Sequence, residues 1–160
     1  MRIVSACLAL LTALAPAAPA TGQEAARFGA WRAFCAPVAG CVLGVKSGEG
    51  DTLAFVEPPS GDDRLLLFLS EPVQDGARIV VSIDGRVIVT LGPADGWRRI
   101  DSAVGPAIQI APSIAREGLM EPMRRRDRMR ISYPTPENGR RQVTFSLNGY
   151  ADIRGYADEE

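Results

Sequence analysis

Along most of the chain, apolar residues recur at every second position, in short runs separated by turn-forming clusters. That period of two predicts strands rather than helices. Trp31, Ala33 and Cys35 share one face of a first strand, and a second runs over 41–45. Ser47-Gly48-Glu49-Gly50-Asp51 is a turn cluster, followed by a strand at 53–56 and a break at Pro58-Pro59-Ser60-Gly61-Asp62-Asp63. Leu65-Leu66-Leu67-Phe68-Leu69 is a continuous apolar run too short for an ordinary helix, and it predicts a central strand over 64–70 buried on both faces. Ile79, Val81 and Ile83 then alternate toward Asp84-Gly85, and Val87, Val89 and Leu91 alternate away from it. Asp-Gly between alternating runs predicts a tight hairpin, because both turn residues tolerate positive φ.

Gly92 to Gly96 reads as a turn; 97–110 carries the least legible pattern of the chain, with 107–110 having the character of a short strand. Pro112-Ser113-Ile114-Ala115-Arg116-Glu117-Gly118 predicts one or two helical turns ended by the glycine. Met129, Ile131 and Tyr133 alternate with Arg128, Arg130 and Ser132; after a loop at 134–139, Val143, Phe145 and Leu147 alternate with Gln142, Thr144 and Ser146. Such strands present one apolar and one polar face, as half-buried antiparallel strands do. A short helix over 148–156 caps the end. The expected fold class is all-β: an antiparallel β-sandwich with short helical segments near 112–118 and at the C-terminus.

The beginning of the chain departs from this pattern. Arg2 precedes an apolar run over 3–15, then Pro16-Ala17-Ala18-Pro19-Ala20, the layout of a secretory signal peptide cleaved after Ala20. Prolines at 16 and 19 interrupt the run before the ~20 residues of a spanning helix, so no transmembrane span is expected after cleavage. Val4-Ser5-Ala6-Cys7 resembles a lipobox, but its apolar stretch lies on the wrong side of Cys7. The expected organisation is a signal peptide at 1–20, a flexible start at 21–27 and one domain at 28–160.

Cleavage leaves two of the three cysteines, Cys35 and Cys41. Export places them in an oxidising compartment, where a nearby pair across a Pro/Gly turn is expected to form a disulfide. Closing so small a ring stabilises by about 2 kcal/mol in the loop-entropy model. Five intervening residues do not make the CxxC of an oxidoreductase, and two thiols alone are a poor metal site.

Composition then narrows the chemistry. With no histidine, Ser-His-Asp and Cys-His catalysis and imidazole metal ligation are excluded. Net charge is −1, moving to about −2 when Arg2 leaves with the leader, which disfavours a general nucleic-acid binder. The conspicuous charge feature is Arg124, Arg125, Arg126, Arg128 and Arg130. Guanidinium forks suit phosphate or acidic polysaccharide, so this run is a candidate anion or partner surface. It is also what a solvated face looks like in a chain where 17 of 18 basic residues are arginine. No aromatics interleave with it, which argues against nucleic acid. Asp62 and Asp63 read as a turn rather than a calcium loop, and Asp152, Asp158, Glu159 and Glu160 as a solvated acidic end. No cofactor motif is present; no metal is expected.

Phe28-Gly29-Ala30-Trp31 followed by Cys35 and Cys41, the Ser82-Ile83-Asp84-Gly85 hairpin, and Phe145-Ser146-Leu147-Asn148-Gly149-Tyr150 together resemble the invasion-associated locus B family of exported Gram-negative proteins. The resemblance implies a compact immunoglobulin-like β-sandwich held in the periplasm or at the outer membrane, or secreted; it supplies no biochemical activity. Members of that family often carry a second cysteine pair, which residues 91–120 lack here; packing around Trp97, Ile108, Ile110 and Ile114 is expected to replace it. The functional expectation is a non-enzymatic module that contacts an envelope or host protein. The alternatives are a periplasmic hydrolase using paired carboxylates and an anion- or polysaccharide-binding module using the arginines.

Overall fold

In a computed structural model, residues 26–36, 40–61, 63–137 and 139–159 are described. The expected leader at 1–20, residues 21–25 of the start, the turn at 37–39, Asp62, Asn138 and Glu160 lie outside the described residues. The elements in chain order are β1 (Ala26–Phe28), β2 (Trp31–Ala36), β3 (Gly40–Lys46), β4 (Thr52–Glu57), β5 (Arg64–Phe68), β6 (Ile79–Ile83), β7 (Arg86–Leu91), β8 (Trp97–Ile100) and β9 (Ala107–Ile110). A wide, π-type helical segment (Ile114–Leu119), α1 (Met120–Arg124), β10 (Arg128–Thr135), β11 (Gly139–Ser146) and α2 (Tyr150–Glu159) complete the chain.

The strands form two antiparallel sheets, a seven-stranded one ordered β1-β2-β3-β4-β5-β9-β8 and a four-stranded one ordered β11-β10-β6-β7. Alternate residues of each sheet point into a shared core. Trp31, Leu43, Phe55, Leu65 and Leu67 come from the first, and Val81, Ile131, Tyr133, Val143 and Phe145 from the second. The all-β sandwich is the predicted one, and the short helices lie at its margins.

The two motifs at opposite ends of the domain are halves of one contact. Trp31 Nε1 donates to the Ser146 carbonyl at 3.1 Å, and its ring lies 4.9 Å from Tyr150 and 6.3 Å from Phe55. The Ala30 N–H donates to the Asn148 carbonyl at 3.1 Å. Gly149 has φ +89°, and a Cβ there would stand 2.0 Å from the Phe28 carbonyl oxygen. Only glycine allows both that backbone conformation and that approach. The tail thus threads against the β1–β2 turn, and α2 packs over the same corner through Tyr156 on Phe28.

Cys35 and Cys41 face each other in the β2–β3 ladder and form a disulfide, with Cα atoms 4.0 Å apart. Trp97, Ile108 and Ile110 are buried in the core, and Trp97 Nε1 donates to the Ala77 carbonyl at 3.2 Å. Ile114 packs against the core only in part. Apolar packing therefore occupies the region where a second bridge was noted as missing.

Four local expectations are corrected. Ala26 and Arg27, expected within a flexible start, are strand residues that pair with Ala33 and Arg32. Val87 was expected inward but is 59% exposed. A register shift after Val81 pairs it with outward-facing Ser82, and a one-residue slip exchanges the faces of a strand. Gly118 does not end the helix, which continues to Arg124 because Ala115, Leu119 and Met123 bury along it. Pro122 lacks the N–H that a regular turn would offer the Gly118 carbonyl, which suits the wide segment before it. Finally, β5 is not buried on both faces: Leu65 and Leu67 are buried in the core, but Leu66 and Phe68 on the other face are only half-buried, with no second layer over them among the described residues.

Candidate functional site

The outward faces of the two sheets differ in kind. On the four-stranded sheet, Arg130 lies across from Thr144 and Ser82, and Ser132 across from Gln142 and Val80, an ordinary polar surface. On the seven-stranded sheet the outward positions form three rows across the strands. One row is Phe34, Val42, Val56 and Arg64; the next is Arg27, Arg32, Gly44, Ala54, Leu66 and Gln109; the third is Lys46, Thr52, Phe68 and Ala107. Phe34 is 51% exposed and Val42 40%. The outward positions of β1 to β5 include no carboxylate, and Arg27, Arg32, Arg64 and Lys46 make no ion pair among the described residues. An apolar sheet face with cations and no acids is unlike a solvated one, where both signs mix with polar residues.

The middle row makes this face concave. Gly44 and Ala54 sit side by side between the larger side chains of the flanking rows, so their small size leaves a trough of about 480 Å³. Arg27, Arg32 and Lys46 stand at its β1–β3 end, with Phe34 and Val42 on one side and Phe68 on the other. Ligand sites of about 300–1,000 Å³ are mostly apolar with a few placed polar groups, and this trough has that make-up.

The arginines singled out in the sequence do not converge. Arg128 and Arg130 project from β10 into a hollow that Asp84 and Asp127 share. Arg125 and Arg126 line a separate groove with Glu121, Asp84 and Ile88; Arg125 is paired with Glu121 at 2.6 Å. Arg124 turns toward α2, with Asp158 at 4.0 Å. Asp84, at φ +47° in the hairpin turn, accepts from the Arg128 N–H at 3.0 Å and so clasps the turn to β10.

A polar cluster that no local pattern announced joins the sheets. Asp51 is fully buried and accepts from the Ser70 N–H at 2.7 Å, Ser70 Oγ at 3.0 Å, Ser47 Oγ at 3.3 Å and Arg141 Nη2 at 3.2 Å. Arg141, from β11, also reaches Glu71 at 2.8 Å and Glu49 at 3.3 Å. Burial is the largest influence and opposes its charge, but Asp51, Tyr133 and Glu71 together outweigh it and hold the guanidinium above its usual range. Tyr133 beside it has its phenol pushed up, first by burial and then by the Asp51 charge. Three carboxylates drawn onto one arginine make a latch between the sheets. On α2, Arg154 pairs with Glu57 and with Asp158. Among the described residues no group of three or more acids or cysteines is placed to hold a metal ion, and no helix is long and apolar enough to cross a membrane.

The sequence matches no protein-family model and no curated protein. Among solved structures, the chain is similar to invasion associated protein b from Bartonella henselae. The TM-score is 0.64 at 11% identity, over 85% of this chain and 96% of that one. At that identity the likeness establishes a shared fold, and at that level the resemblance read from the motifs holds.

Proposed function

We propose that this chain is an exported, non-enzymatic envelope protein that works by contact, and that its contact surface is the outward face of the seven-stranded sheet. One observation carries the reading: in the 64–68 strand Leu65 and Leu67 are buried in the core, while the outward Leu66 and Phe68 are only half-buried, with no second layer over them among the described residues. Leaving Leu66, Phe68, Phe34 and Val42 toward water costs free energy that a partner's cover would recover. The leader-like beginning and the Cys35–Cys41 bridge favour a periplasmic or outer-membrane setting, or release from the cell. Association with invasion, which the Bartonella protein's name states of that protein, would be one use of such a surface.

The two other readings have less behind them. The carboxylates that gather most closely are tied to Arg141, which disfavours hydrolysis by a free pair. Arginines 124–130 share their surface with Glu121, Asp84, Asp127 and Asp158, which dilutes any anion-attracting field.

The test is site-specific photocrosslinking in the envelope of a Gram-negative host. A crosslinker at Phe34 is expected to give discrete adducts, and one at Gln142 on the opposite polar face is not. Adducts at neither position, or equally at both, would overturn the assignment of this face.

A further inference from the structure

We infer that the trough over Gly44 is a binding site for a single-chain anionic amphiphile, an acyl chain ending in a carboxylate or phosphate. The inference rests on the preceding reading of this face and names what the face takes. Its first support is the layout of charge. Arg27, Arg32 and Lys46 gather at one end of the trough, no acid lines it, and none of the three is held in an ion pair among the described residues. Arg27 gives its Nε–H to the Gly29 carbonyl at 3.4 Å, which leaves its terminal guanidinium N–H groups to join Arg32 and Lys46 along this end. Such cations suit an anionic head, with the fork geometry of the arginines matching carboxylate or phosphate oxygens.

The second support is the floor. From Arg32 the floor passes over Gly44, with Lys46 beside it on β3, and Ala54 to Phe68 on β5, and beyond Gly44 no charged group lines it. Crossing three strand spacings, that path is about 14 Å long, the reach of a medium-length acyl chain lying across the strands. A head-to-tail gradient from cationic to apolar within one concavity is the complement of an amphiphile; a polysaccharide would ask instead for polar groups along the whole path.

Gly44 supplies the means of testing. It lies in extended β3, outside the positive-φ conformations, and a Cβ there would meet only the Leu53 carbonyl oxygen at an ordinary 3.7 Å. Gly44→Ile should therefore keep the fold while filling the trough. Binding of dodecanoate and of dodecyl phosphate, each below its micelle concentration, is measured by calorimetry on the disulfide-intact protein, with dodecyltrimethylammonium and inorganic phosphate as comparison probes. Both anionic amphiphiles are expected to bind, the cationic one and free phosphate to bind at least about tenfold more weakly, and Gly44→Ile to lose at least about tenfold in affinity with an unchanged circular dichroism spectrum. Arg32→Glu with Lys46→Glu should abolish the preference for the anionic heads. Dodecanoate against dodecyl phosphate separates the two sources of the head group, and a preference for either supports the site. Equal affinity for the cationic amphiphile, or an undiminished affinity in folded Gly44→Ile, would overturn the inference. If that happens while crosslinks at Phe34 persist, the contact face stands and only its ligand class falls; if the crosslinks vanish as well, both fall.

Discussion

Replacing Arg141 by Met removes the charged centre of the latch between the sheets while keeping a side chain of similar reach. Arg141 is 21% exposed and Asp51 is fully buried, so the pair is screened little by solvent. Breaking a buried ion pair by deleting one partner costs about 3–5 kcal/mol when the remaining charge is left without compensation. Asp51 is not left so bare: the Ser70 N–H at 2.7 Å and the hydroxyls of Ser70 and Ser47 still donate to it. Glu71 and Glu49 are exposed enough to rehydrate. The expected cost is therefore nearer 2–3 kcal/mol, the size of one or two hydrogen bonds to a charged group. For a domain of this size that lowers Tm by about 7–10 °C. Urea unfolding followed by tryptophan fluorescence measures it, with Asp51→Asn and the double variant completing a cycle. A coupling of about 1.5–3 kcal/mol is expected, because each single change strands the other group. An Arg141→Met cost below about 0.5 kcal/mol, or additivity within about 0.3 kcal/mol, would show that the cluster decorates the surface and joins nothing.

Cys35→Ser with Cys41→Ser should lower stability by about 2 kcal/mol, the loop-entropy value for so short a ring, seen as a shift in urea midpoint that reductant reproduces in the parent protein. Gly149→Ala should cost about 3 kcal/mol or more, since it combines a left-handed backbone with a Cβ 2.0 Å from the Phe28 carbonyl oxygen; a variant within about 1 kcal/mol of the parent would refute the threaded corner. Burial pushes the phenols of Tyr133 and Tyr150 above their usual range, so the native state holds those protons more tightly than the unfolded chain does. Their contribution is complete below the ordinary phenol pKa of about 10 and is lost as pH rises beyond it. The phenolate absorbance of these two should rise only with unfolding, and Tyr133→Phe with Tyr150→Phe should remove that late step. Reversing charge at Arg128 and Arg130 should change stability by no more than about 0.5 kcal/mol and leave amphiphile binding intact, because both lie on the other sheet's solvent face.

What the sequence determined by itself was local. The period of two fixed which residues of β2, β3, β10 and β11 point inward, Asp84-Gly85 fixed a hairpin, and Cys35 and Cys41 fixed each other, all within a few residues of chain. The motifs at 28–31 and 145–150 were visible as motifs, but only the folded chain shows that one grips the other, since Trp31 and Ser146 lie 115 residues apart. Asp51, Ser70 and Arg141 belong to different elements and carry no shared spacing, so their meeting was decided by how the sheets stack. The same holds for the trough. Its rows run perpendicular to the chain, and Arg32, Gly44, Ala54 and Leu66 become neighbours only through strand register. The apolar run at 65–69 announced a strand covered on two sides; among the described residues the tertiary structure supplies one cover, and that shortfall is what turns a core pattern into a surface.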